Sequence, residues 1–209
     1  MKLRGWFLAL EGGEGAGKST VARSLAERIE SSGREVVVTR EPGGTPVAEA
    51  IRTVLLSPEL PDAAAWSEAL LFAAARADHV QAVIRPALQR GAVVISDRFV
   101  DSSVAYQGVG RGLGADAVRR ANEVAVAGCA PDLTVVLDID PAVGLSRAVG
   151  ANRMEARSMD FHRAVRAAFL AFAAEHPQRY RVLDAGRPAE QVVSAVAQWY
   201  DDARQGADR

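Results

Sequence analysis

The run Trp6-Phe7-Leu8-Ala9-Leu10-Glu11-Gly12-Gly13-Glu14-Gly15-Ala16-Gly17-Lys18-Ser19-Thr20 decides the fold. Its first part is short, apolar and continuous, as expected of a strand buried on both faces. Its second part is glycine-rich and leads into a helical pattern. Gly12, Gly17, Lys18 and Ser19 satisfy the Walker A spacing. Glycines let the backbone curl until several N–H groups face one anion. The helix beginning near Lys18 adds the positive end of its dipole. Gly13, Glu14, Gly15, Ala16 and Thr20 complete this nucleotide cradle. Within it, Lys18 reaches the β/γ-phosphates and the Ser19 hydroxyl is placed to ligate magnesium. The chain has 25 basic residues, of which only Lys2 and Lys18 are lysine. A compact ammonium at this position therefore stands out against a background of planar guanidiniums.

Outward from this run, short β-rich segments alternate with longer helical ones. Strands are expected at Trp6–Leu10, Glu35–Thr39, Ala92–Ser96, Leu133–Ile139 and Tyr180–Leu183. Helices are expected at Ser19–Ser32, Pro46–Leu56, Trp66–Arg90, Asp116–Ala127, Pro141–Val149, Ser158–Glu175 and Ala189–Asp202. The alternation predicts an α/β fold: a doubly wound five-stranded parallel sheet with helices on both faces, joined by right-handed crossovers. Gly- and Pro-rich pieces at 12–17, 42–46, 57–61 and 108–114 are loops within one domain spanning 1–209, with a frayed tail at 205–209. Ligands of such sheets bind beyond the carboxyl ends of the strands.

Composition narrows the function. The 25 basic residues nearly balance 26 acidic ones, so no broad basic surface calls for nucleic acid or a membrane. Apolar residues at 49% and charged residues at 24% are globular proportions. No window is a transmembrane span and the opening lacks a signal-peptide pattern, which suggests a cytoplasmic protein. Cys129 is the single cysteine and lies in an apolar run, which reads as a buried thiol in a reducing compartment. A guanine-reading Asn-Lys-x-Asp segment cannot exist with lysines only at 2 and 18, which argues against a switch GTPase.

The other strand ends carry the positive evidence. Thr39-Arg40-Glu41-Pro42-Gly43-Gly44-Thr45 follows the second strand, and Asp97-Arg98-Phe99-Val100-Asp101-Ser102-Ser103-Val104-Ala105-Tyr106-Gln107-Gly108 follows the third. Arg40 and Arg98 delivered to one crevice would form a second anion site facing the cradle. Asp97 would either hold magnesium through water or orient Arg98. Phe72 and Arg76 are helical neighbours, and an aromatic plane beside a guanidinium suits a nucleobase. Phe72 also fits an ordinary core position. His79, His162 and His176 lack metal-ligand spacing and read as surface or capping residues.

On these motifs the chain resembles the bacterial thymidylate kinases, with similarity from about residue 6 to 200. The resemblance implies phosphoryl transfer from ATP to dTMP with Mg2+. Phe72 would stack on thymine, Arg76 would address its O4, and Ser103 and Gln107 would line the base pocket. Tyr106 would crowd the 2′ position, Glu14 would meet the acceptor sugar, and Arg40 and Arg98 would hold the acceptor phosphate. Pro42 matches a cis-proline of the family. A short mobile lid would span about 147–156, with Arg153 supplying transition-state charge and Arg147 flanking adenine; Gly15 stands where some relatives place a catalytic arginine. The resemblance also implies a homodimer. The alanine-rich helices at 63–77 and 116–129 would supply the interface, or belong only to the core. Another deoxynucleoside monophosphate as acceptor, or a nucleotide-binding regulator without phosphoryl transfer, are the competing readings.

Overall fold

The computed structural model describes residues 5–148 and 153–207, with side chains as far as Arg204. Five strands, β1 (Trp6–Glu11), β2 (Val36–Arg40), β3 (Val93–Asp97), β4 (Leu133–Asp138) and β5 (Tyr180–Asp184), form one parallel sheet in the order β2-β3-β1-β4-β5. Each lies within a residue or two of its expected position. β1 is central and buried throughout, because its residues pack in both directions. Leu8 and Leu10 join the core that contains Val21 and Leu25, whereas Phe7 and Ala9 join the opposite core with Val80 and Ile84. This is the two-residue alternation of a strand with apolar layers on both faces. Each fully buried leucine contributes about 1.5–3 kcal/mol of transfer free energy.

The helices flank this sheet. They are α1 (Lys18–Glu30), α2 (Pro46–Leu56), α3 (Ala65–His79), α4 (Arg85–Gln89), α5 (Val100–Ser103), α6 (Ala115–Val126), α7 (Pro141–Arg147), α8 (Met159–Glu175) and α9 (Ala189–Ala207). α9 extends through part of the stretch expected to fray, and Asp208 and Arg209 lie outside the described residues. α1 and α9 pack on one face, and an edge-on contact of Trp6 with Tyr200 at 4.9 Å joins β1 to α9.

The helix expected at 66–90 is one rod with a π-helical segment, Val80–Ile84, between α3 and α4. Pro86 accounts for the widening: it cannot donate to the preceding turn, and its ring would crowd that turn's carbonyl. A second π-helical segment, Val104–Gly110, continues α5. It was not anticipated, because Gly108 and Gly110 read as loop residues. It carries Tyr106 and Gln107 inward. Cys129 is 2% exposed, and burial pushes its thiol pKa up. No helix among the described residues is long and apolar enough to cross a membrane.

Candidate active site

The cradle follows β1. Gly12 has φ 136°, and a Cβ there would lie 2.4 Å from the carbonyl oxygen of Leu137. Gly15 has φ 65°, and a Cβ there would lie 1.9 Å from the Gly144 oxygen on α7. A side chain at 15 would require α7 to shift. Gly17 precedes α1 without a side-chain cap, leaving the helix start open to an anion. The Lys18 ammonium folds back and donates to the Gly12 and Gly13 carbonyls at 3.2 and 2.7 Å. Burial, then the nearby Arg98 charge, push its pKa down to about 8.

Ser19 Oγ donates to Asp97 Oδ2 at 2.6 Å, joining the start of α1 to the end of β3. Two adjacent oxygen donors beside a phosphate cradle suit a hard cation such as magnesium. Among the described residues, no group of three or more His, Cys, Asp or Glu side chains offers a cage made of protein alone.

Arg98 links the cradle to the opposite wall. Its Nη1 donates to the Gly12 carbonyl at 3.0 Å and to Ser102 Oγ at 3.1 Å, and its Nη2 donates to Glu14 Oε1 at 2.9 Å. Its φ is 72°, a conformation costing a non-glycine residue about 1–3 kcal/mol. Bonds from its N–H to Leu10 and from Ser96 Oγ to its carbonyl hold that backbone in place. The guanidinium lies 5.1 Å over the Tyr106 ring, and the Tyr106 hydroxyl donates to Glu14 at 3.0 Å. Burial alone would raise the Glu14 pKa, but Arg98 and Lys18 outweigh it and bring it to about 2. Burial and the same carboxylate push the Tyr106 phenol up.

Arg40 does not join this group. β2 is an edge strand, and the Arg40 side chain is 55% exposed and donates to both oxygens of Glu49 at 3.0 Å. Arg52 of α2, which the sequence reading did not select, lines a cavity with Arg98 and Arg76 instead. Arg52 Nη1 donates to the Pro42 carbonyl at 2.8 Å, across the cis Glu41–Pro42 bond. Burial and then the Arg40 charge push its pKa down.

Phe72, Arg76, Ser103, Tyr106 and Gln107 line one cavity together with Glu14, Arg52 and Arg98. All five Arg76 N–H donors have partners: Glu41, Asn122, the Phe99 carbonyl, and Ser103 Oγ from both Nη atoms. To meet a base oxygen, one of the two bonds to Ser103 must be re-aimed. Glu41 also accepts from His79 Nδ1 at 2.9 Å, and His79 Nε2 lies 2.6 Å from Thr39 Oγ1. His79 is 0% exposed, so its expected surface role is overturned: it supports the loop that holds Glu41. His162, at 5% exposure, is also buried. Glu11 is a further residue that was not foreseen. It accepts from the Phe99 and Ser102 amides and from Ser102 Oγ. Burial and the Asp101 charge push its pKa up to about 8.

Residues 149–152 of the expected lid, Asn152 among them, lie outside the described residues. Arg147 ends α7 and donates to the Ala185 carbonyl at 3.1 Å. Arg153 does not lie at the cradle. It donates to the Pro61 carbonyl at 3.1 Å, with Asp62 and Glu68 at 3.8 and 3.7 Å. These partners belong to the 57–64 loop and the start of α3, which draws the cation toward that loop. Met154 lines the base cavity.

A family model of thymidylate kinase matches residues 10–196. The chain is 49% identical over 195 residues to a thymidylate kinase of Pelotomaculum thermopropionicum, covering 91% of this chain and 90% of that one. It is 51% identical over 197 residues to one of Pseudomonas fluorescens, covering 93% and 94%. The crystal structure of an Ehrlichia chaffeensis thymidylate kinase superposes with a TM-score of 0.76 at 32% identity, over 92% of this chain and 98% of that one.

Proposed function

This chain belongs to the thymidylate kinase family and phosphorylates dTMP with ATP, and we propose that the two walls of its cleft divide that work as follows. ATP lies along the glycine turn. Lys18 leaves the Gly12 and Gly13 carbonyls to meet the β/γ-phosphates, and Arg147 flanks the adenine side. Ser19 and Asp97 would hold magnesium, which would supply charge neutralisation to the transferring phosphate when bound. Arg98 and Arg52, in place of Arg40, clamp the acceptor phosphate. An oxygen of that phosphate attacks the γ-phosphorus as the bond to the β-phosphate oxygen breaks, giving dTDP and ADP. The residues supply alignment and charge rather than a covalent intermediate. Phe72 stacks on thymine, Arg76 and Ser103 face its O4, and Gln107 lines the adjoining edge. Tyr106 and Glu14 bracket the sugar.

The observation that carries this reading is Arg98, which touches both the Gly12 carbonyl of the cradle and Glu14 of the acceptor cavity. Anions on the two sides of that guanidinium are brought end to end. Initial rates of ADP formation with dTMP, dUMP, dCMP and GMP test it. The expected order places dTMP first, and a faster rate on another acceptor overturns the substrate assignment.

The protein works as a single domain in the cytoplasm and as a homodimer. Exposed Val47 and Val54 on α2, Trp66 and Leu70 on α3, and Val124 on α6 support an apolar interface on neighbouring helices. Sedimentation at twice 22.2 kDa is the expected result, and a monomer removes the dimer.

A further inference from the structure

α3 presents Glu68, Phe72 and Arg76 at four-residue intervals, hence on one face. Phe72 and Arg76 line the base cavity, while Glu68 sits behind it at 0% exposure. Its two oxygens are divided. Oε2 accepts from Arg111 Nη1 at 2.8 Å, with Arg153 and Arg157 at 3.7 and 3.6 Å. Oε1 accepts from Gln107 Nε2 at 3.0 Å. Arg111 is held in turn by the Ala63 carbonyl at 2.9 Å, so the carboxylate is fixed in place.

We propose that Glu68 is a specificity-positioning residue, which locks the Gln107 amide so that a hydrogen-bond acceptor faces the base edge. This rests on the dTMP reading above. A carboxylate paired with arginine only accepts, so it dictates which end of the Gln107 amide it meets: Nε2 turns to Glu68 and Oε1 is left for the cavity. Gln107 lines the base cavity beside Phe72, Arg76 and Ser103. Thymine and uracil present an N3–H donor to such an oxygen. Cytosine presents a bare N3 acceptor and would leave two lone-pair oxygen and nitrogen atoms opposed. The selection for N3–H bases thus comes from a residue that touches no substrate. A site built to pair a substrate N–H rejects analogues lacking it strongly, because its own buried acceptor is left unpaired.

Glu68→Gln tests this, because a carboxamide both donates and accepts and so releases the Gln107 amide to flip. The expected result is an equal fall of about tenfold in kcat/KM for dTMP and dUMP, carried by KM, with dCMP unchanged or improved. KM for ATP should stay unchanged. Equal losses on all three acceptors would mean Glu68 is only structural and overturn the proposal. If the unsubstituted enzyme forms no ADP with dTMP, the underlying functional reading fails instead. Should Glu68→Gln not fold, Gln107→Met decides, since it removes the acceptor while leaving Glu68 paired with Arg111. A dTMP-to-dCMP preference unchanged in that variant overturns the proposal, and a collapsed preference supports it.

Discussion

The two walls of the cleft are built by different means. The donor wall is one short turn, Gly12 to Lys18, whose shape is set by backbone conformations that only glycine adopts easily. The acceptor wall is assembled from side chains far apart in the chain: Arg98 meets Gly12 across 86 residues, and Tyr106 meets Glu14 across 92. The first wall offers N–H groups that no side-chain change removes. The second offers guanidiniums whose aim depends on the carboxylates that hold them. A substitution on the first wall should therefore act most through its single cation, Lys18. On the second, the effect depends on which partner a given arginine has found.

The largest expected effect is on the donor wall. Lys18→Ala removes the only side-chain cation of the turn and should lower kcat about a thousandfold. Its burial lowers its own pKa, so the charge is not a major stabiliser of the fold. Circular dichroism should show a melting temperature within a few degrees of the parent. Near-normal turnover would show that backbone groups alone run the donor side, which breaks the contrast between the walls.

The same contrast explains what the sequence disclosed. The donor wall is local, so a motif between a strand and a helix was enough to read it. The strands were legible because burial on both faces leaves continuous apolar runs, as in Val93-Val94-Ile95. The acceptor wall was legible in composition but not in aim. Arg40 and Arg98 look alike as arginines at strand ends, and only tertiary partners separate them: Glu49 on the surface for one, Glu14 and the Gly12 carbonyl for the other. Glu11, Glu41, Glu68 and His79 are buried, yet in one sequence a buried charge is indistinguishable from a solvated one. Arg52 did leave a signal. It lies four residues after Ala48 and three before Leu55, the two buried residues of α2, so it shares the inward face of that helix.

A pair of variants sharpens the acceptor side. Arg52→Ala removes a half-buried cation that faces the same cavity as Arg98 and should raise KM for dTMP about ten- to a hundredfold, the worth of one charge-assisted bond to phosphate. Arg40→Ala breaks only an exposed pair with Glu49, with side chains 55% and 43% exposed, and should change KM less than about threefold. Steady-state kinetics at saturating ATP separates the two. The opposite ranking would return the acceptor phosphate to Arg40 and require its side chain to leave Glu49 on binding.

The smallest expected effect is a pH dependence confined to the donor wall. Lys18, depressed to about 8 by burial and then Arg98, must be protonated to meet the ATP phosphates. Its protonated fraction falls about threefold between pH 7.5 and 8.5, so kcat/KM for ATP should fall by that factor. Bound phosphates raise the pKa again, so kcat itself should stay flat over the same range. On stability the sign is opposite. The folded pKa lies below the ordinary lysine value of 10.5, so between about 8 and 10.5 the unfolded chain holds the additional proton. Folding is then favoured more as pH rises through that window, and the cost of the buried charge returns as pH falls through 8. Glu14, depressed to about 2, is ionised throughout this range, so the acceptor wall contributes no competing step from that residue. A fall in kcat matching the fall in kcat/KM would place the titrating group in the nucleotide complex and remove Lys18 as its source.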